Sequence, residues 1–210
     1  MDKAGNKGTG NWATIASAQL GVPSTMIATA LFARYTSFYK DDRIKLSAVY
    51  DNSSNEKPAL TEADLFDAYQ FCRIINHYQG LRLISEASKK YEWNLNLSEI
   101  ARIWTNGCII RSTLVKELVT ILAESEELLH NKIIIAWIQK LRPAASKVVA
   151  QSILAGITVP CMSEAMNFFN GMTTARSTAN LIQAQRDYFG AHTYQRIDDP
   201  THKFHHTIWT

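Results

Sequence analysis

The stretch from Thr61 to Tyr91 restricts the possible folds of this chain more than any other. Phe71, Ile74, Tyr78 and Leu81 step by three and four, the spacing of one helical face. Leu65, Phe66, Cys72, Ile75, Leu83 and Ile84 fall on other sides of the same helix. A helix that is apolar on several sides must sit centrally and be wrapped by other elements. Thr61 can cap its start, and Asp64 three residues on completes a variant of the capping box.

The remaining chain supplies helices to do the wrapping. Trp12–Leu20 reads as one, stopped at Gly21, and Pro23 suits the first turn of a second that is expected to run to about Leu46. The segment SAVYDNSSNEKPA, residues 47–59, reads as a polar loop. Further helices are expected over Ser98–Trp104, over Ile109–Ala123, where Ile110, Leu114, Leu118 and Leu122 step by four, and over Lys132–Leu141. Pro143 should restart the chain as a helix to Leu154, Pro160 and Ser163 should open one that ends near Gly171, and Ser177 the last, to Gly190. Residues 191–210 read as an irregular tail. There is no hairpin dipeptide between alternating runs, no strand–helix–strand rhythm and no repeat of fixed period. The expected class is all-α, in one domain over residues 1–210.

Composition narrows the partners. A chain of 210 residues, 46% hydrophobic, can bury a sizeable core. A net charge of +3 with 20% charged residues argues against nucleic acid, while leaving room for one small anion held locally. Cys72, Cys108 and Cys161 are odd in number, far apart and form no CxxC, which fits reduced thiols in a cytoplasmic protein. The start, MDKAG, has no apolar signal segment. Residues 8–33 carry no charge, but Gly21 and Pro23 break them and Asn11, Ser17, Gln19 and Thr25 dilute them. They read as two buried helical pieces, and no membrane span is expected.

Two motifs suggest ligands. AGNKGTGNWATIA, residues 4–16, spaces its glycines as Gly5-x-x-Gly8-x-Gly10. That is neither GxGxxG after a strand nor a loop ending in Gly-Lys-Ser/Thr, so it does not read as a nucleotide cradle. It is either a flexible leader or a loop whose N–H groups and Lys7 touch an anion before a helix N-terminus. His202, His205 and His206 form H-x-x-H-H, but ligation needs a fixed scaffold and further ligands, so no metal is expected. Trp137, Phe168 and Phe169 read as core.

KGTGNW, GVPSTMIATALFAR, GCIIRS, AGITVPC and NLIQAQRDYFGAHTY occur here in one order along the whole chain. This order resembles that of the decarboxylating 6-phosphogluconate dehydrogenase family, and the block at 180–194 is its most specific part. The resemblance implies an all-helical C-terminal domain. It implies oxidation of the 3-hydroxyl of 6-phosphogluconate with NADP, loss of carbon dioxide and protonation of an enediol to ribulose 5-phosphate. It implies substrate contacts at Lys7, Thr9 and Arg34. Arg186 and His192 resemble a pair that one subunit inserts into its neighbour's site, in a homodimer with exchanged tails. It further implies that the NADP-binding domain and the general acid and base lie outside these residues, which alone should turn nothing over, bind no cofactor and expose apolar patches prone to associate.

Each candidate admits a plainer reading. Lys7 can be a solvated terminal lysine, and Arg34 can pair with Asp41 or Asp42. Arg186 with Asp187 can be a surface pair, and His192 a structural residue at a helix end. Against the family pattern, Asn11 stands where lysine is usual, Thr105-Asn106 where Arg-Gly is common, and FHHTIWT where HTNWTG is usual. The altered tail bears on dimer stability more than on fold. A second reading is a non-catalytic helical oligomerisation module.

Overall fold

The computed structural model describes residues 2–50 and 57–209, so residues 51–56 of the expected polar loop and the terminal Thr210 lie outside the described residues. Nine α-helices follow one another among the described residues: α1 Thr9–Leu20, α2 Thr25–Phe38, α3 Lys40–Ser47, α4 Glu62–Lys90, α5 Leu97–Trp104, α6 Thr113–Glu124, α7 Lys132–Leu154, α8 Pro160–Met172 and α9 Ala179–Gly190. The class is all-α. No described helix is long and apolar enough to cross a membrane. The chain packs as two compact units, Met1–Phe169 and Asn170–Thr210.

In the first unit α4 is the axis. Thr61 and Asp64 form a reciprocal capping box, with the Asp64 backbone N–H donating to Thr61 Oγ1 and the Thr61 N–H to Asp64 Oδ2. Lys147 of α7 reaches the same carboxylate at 2.7 Å and holds it down at about 2. Phe71, Ile74 and Ile75 are buried against Ile134, Ile138 and Val148 of α7, and Phe169 of α8 meets Phe71 edge-on at 5.5 Å. Gln79, also buried, accepts from the Met26 N–H at 2.9 Å and donates to Thr25 Oγ1, so it ties the start of α2 to α4. Leu65 and Phe66, expected inside, are exposed, because only the faces of Ala68, Phe71, Cys72, Ile74 and Ile75 find neighbours.

Two helical expectations are corrected. The second helix does not run through to Leu46. It ends at Phe38, and Tyr39, at ψ 43°, leaves the helical region. Arg43 of α3 then donates to the freed Ser37 carbonyl and to Asp2, whose carboxylate also pairs with Lys40 at 2.7 Å. The break is stabilised by Asp2, 41 residues before Arg43 in the chain. The restart at Pro143 does not occur either, since α7 continues through it. Proline costs the Gln139 carbonyl its partner. Gln139, Lys140, Arg142 and Pro143 all face solvent, where water can replace the bond, while Ile134, Ile138, Ala145 and Val148 stay in register on the buried face.

In the second unit the tail is not irregular throughout. Tyr194–Gln195 pairs antiparallel with Phe204–His205, and Asp199 braces the connection by accepting from Thr201 and His205.

Candidate functional site

Helix α1 begins at Thr9, three residues earlier than Trp12, and that difference shapes the first cluster. Gly8 is its N-cap at φ 92°, a conformation that suits glycine. Its N–H donates to Asn6 Oδ1, and the Trp12 ring covers the site of its absent Cβ at 3.8 Å. No side chain caps α1 and no acidic residue stands in its first turn. The N-terminal end of α1 therefore carries an uncompensated positive dipole end, with Lys7 immediately before it.

The leader is laid along α2. Ala4 N–H donates to Ser37 Oγ at 2.8 Å, and Ser37 Oγ donates to the Arg34 carbonyl. A methyl group at Gly10 would stand 3.7 Å from Leu31 Cδ1. Residues 4–10 thus run alongside α2 from Ser37 to Leu31, and Arg34 lies between those two points. Lys7, Thr9 and Arg34 come to one region, and all three are exposed. Among the described residues neither Lys7 nor Arg34 forms an ion pair, and Arg34 does not take Asp41 or Asp42. Guanidinium, ammonium and helix N-terminal N–H donors are the groups that suit a phosphate or carboxylate.

Arg186 and His192 belong to the second unit. Arg186 lies on α9, one residue before its last turn, exposed and without an ion pair among the described residues. Gly190 is still helical, and the stop is made by Ala191 at φ 48°, followed by Thr193 at φ 53°. His192 stands exposed between two left-handed residues that are not glycine. Its ring lies back over Gly190, where a Cβ would meet it at 2.8 Å, and meets the Phe189 ring edge-on at 5.9 Å. Gly190 is needed for this close approach rather than for its backbone angles.

Asp187 is the residue that sequence reasoning missed. It is not a surface partner of Arg186 but is fully buried beneath the tail. Oδ1 accepts from Thr193 N–H at 3.0 Å and His206 Nδ1 at 2.9 Å, while Oδ2 accepts from Thr207 N–H and Trp209 Nε1, both at 3.0 Å. Burial alone would raise its pKa. The Thr207, His206 and Trp209 donors outweigh that and hold the carboxyl at about 2. The only local hint was the neighbouring polar Gln183, one turn earlier on the same face, which donates to the Thr193 carbonyl. The donors themselves are far away in sequence. His205 and His206 each engage a separate carboxylate, Asp199 and Asp187, so the H-x-x-H-H spacing does not gather them about one point. Burial, with Cys161 adding to it, pushes the Cys72 thiol up to about 12, which leaves it an inert core residue.

A family model for the C-terminal domain of 6-phosphogluconate dehydrogenase matches residues 1–209. The chain belongs to this family. It is 40% identical to the decarboxylating 6-phosphogluconate dehydrogenases of Aggregatibacter actinomycetemcomitans, over 217 residues, and Drosophila melanogaster, over 216, covering all of this chain and 45% of each relative. It is similar in structure to 6-phosphogluconate dehydrogenase from Plasmodium falciparum, with a TM-score of 0.92 at 35% identity over 99% of this chain and 46% of that one. The Plasmodium enzyme was solved in its apo form, with its cofactor NADP+ and with its substrate 6-phosphogluconate. The chain spans less than half the length of these 6-phosphogluconate dehydrogenases. Its glycine loop lacks the open backbone of a dinucleotide cradle. Gly8 is covered by Trp12, and Gly10 abuts Leu31.

Proposed function

We propose that these residues form the substrate-gripping and subunit-joining part of an NADP-dependent, decarboxylating 6-phosphogluconate dehydrogenase of the cytoplasm. Lys7, Thr9 and Arg34 make one anion clamp, and Arg186 and His192 supply a second that is offered to a neighbouring subunit in a homodimer. A sugar acid with a phosphate at one end and a carboxylate at the other calls for cationic donors at both. Planar arginine donors take either group in a paired fashion, lysine adds a point charge, and the Thr9 hydroxyl with the α1 N-terminus adds neutral donors. NADP and the proton-transferring groups belong to other parts of the enzyme, so these 210 residues alone turn nothing over. Because residues 194–207 bond to one another and to α9, any exchange between subunits carries α9 along with the tail.

The observation that supports this reading is the course of the leader along α2, which runs Lys7 and Thr9 past the helix carrying Arg34, with neither Lys7 nor Arg34 in an ion pair among the described residues. Calorimetric titration tests it. Binding of 6-phosphogluconate should exceed binding of gluconate, and Arg34→Met should weaken it by on the order of tenfold. Equal affinities for the two ligands, or an unaffected variant, overturn the clamp. Mixing Arg186→Ala chains of a full-length relative with chains dead at the other half-site should restore part of the activity in heterodimers, and no recovery counts against a shared site. A non-catalytic oligomerisation module is favoured by one observation, the many exposed apolar side chains, among them Ile109, Leu154 and Leu181. Absence of 6-phosphogluconate binding together with stable self-association would select it.

A further inference from the structure

We propose that Asp187 is a positioning residue, a buried clamp through which the C-terminal tail sets the place of His192. The inference rests on the reading of His192 as a substrate contact. Both carboxylate oxygens of Asp187 are used fully, two donors to each, and the side chain has no solvent exposure. Three of the donors, His206, Thr207 and Trp209, come from the end of the tail, and the fourth is the backbone N–H of Thr193, next to His192. One oxygen, Oδ1, is shared between the turn and the tail. A charge sealed from water is tolerated only while its partners stay in place, so the tail and the turn are held together.

The turn needs such a hold. Ala191 and Thr193 both sit in the left-handed region, at a cost that persists only where surroundings impose it. The Thr193 N–H is fixed by Asp187 and its carbonyl by Gln183, both from α9. His192 is thereby suspended between two restrained residues, with its ring directed back over Gly190 and against Phe189. Trp209 closes the tail over α9 by meeting Tyr188 edge-on at 5.7 Å, and Thr207 Oγ1 bonds the Tyr194 hydroxyl at 2.6 Å. Changes at the chain's end should therefore reach His192 without touching it.

The test uses isotope-labelled whole chain, an Asp187→Asn variant, and a version stopped after His205 that keeps the carboxylate but loses three of its donors. Amide exchange at Thr193 and the ring-current displacement of the His192 imidazole by Phe189 are followed by NMR, with helical circular dichroism as the control for folding. Exchange at Thr193 should quicken about tenfold in both variants, and the His192 ring signals should move toward those of an unstacked imidazole. Unchanged Thr193 exchange and His192 signals in the shortened chain overturn the proposal, and that chain decides if Asp187→Asn loses helical signal. Adding 6-phosphogluconate separates the two layers. If the unmodified chain shows no change at His192 or Arg186, the substrate reading falls and with it the positioning role. A response present there and lost in the shortened chain supports both.

Discussion

At the scale of single residues, two features near the candidate His192 make separate predictions. Ala191 holds a left-handed conformation that glycine adopts without steric cost, so Ala191→Gly should raise stability by about 1 kcal/mol in urea denaturation. The carboxyls of Asp187 and Asp199 are both held at about 2 in the folded chain, below their ordinary 3.8. Protons therefore bind the unfolded state first, and the stabilisation is complete above about 4 and is lost as pH falls through about 2. The indole N–H resonance of Trp209, bonded to Asp187, should stay in its folded position from neutral pH to about 4 and disappear toward 2. Loss of that signal already at pH 5 would contradict the clamp.

Helix by helix, the signals that were easy to read were local. Thr61 with Asp64 marked the start of α4 because a capping box is complete within four residues. The periodicity of Phe71, Ile74 and Ile75 marked its buried face. Pro143 was misleading because its penalty depends on whether water reaches the orphaned carbonyl, which only the exposure of that helical face decides. Pro143→Ala should therefore straighten and stabilise α7 by about 1 to 3 kcal/mol in urea unfolding. An unchanged midpoint would mean the helix has been fully compensated there. Gln79→Leu should act in the opposite direction, costing about 1 to 3 kcal/mol, because it leaves the buried Met26 N–H without an acceptor. The break at Tyr39 was invisible because the carboxylate that braces Arg43 there belongs to Asp2, 41 residues away along the chain.

For the whole molecule, many large apolar side chains are exposed. Phe32, Phe66, Leu154, Leu181, Ile182 and Ile208 all expose most of their side chains, far more than water-facing helices of an isolated domain usually carry. Sedimentation velocity should show association that increases with concentration. Replacing Leu181 and Ile182 by serine should reduce it without loss of helical circular dichroism. A monodisperse monomer at all concentrations would remove the argument that these faces are meant to be covered. The chain also belongs to a family in which the relatives from Aggregatibacter actinomycetemcomitans and Drosophila melanogaster are more than twice its length, which gives the same expectation from a different direction.

What the sequence determined by itself was the helical class and the central place of α4, because periodicity and caps are written within a few adjacent residues; the candidate anion-binding side chains were proposed from its resemblance to a family. The tertiary structure decided where those side chains stand. Lys7 and Thr9 are brought alongside the helix that carries Arg34 only because Ala4 and Gly10 are laid against Ser37 and Leu31. Asp187 changes from a surface charge to a buried clamp only because His206, Thr207 and Trp209 return to it. Such contacts join residues distant along the chain, and no local pattern records a free energy that exists only once both partners have left water.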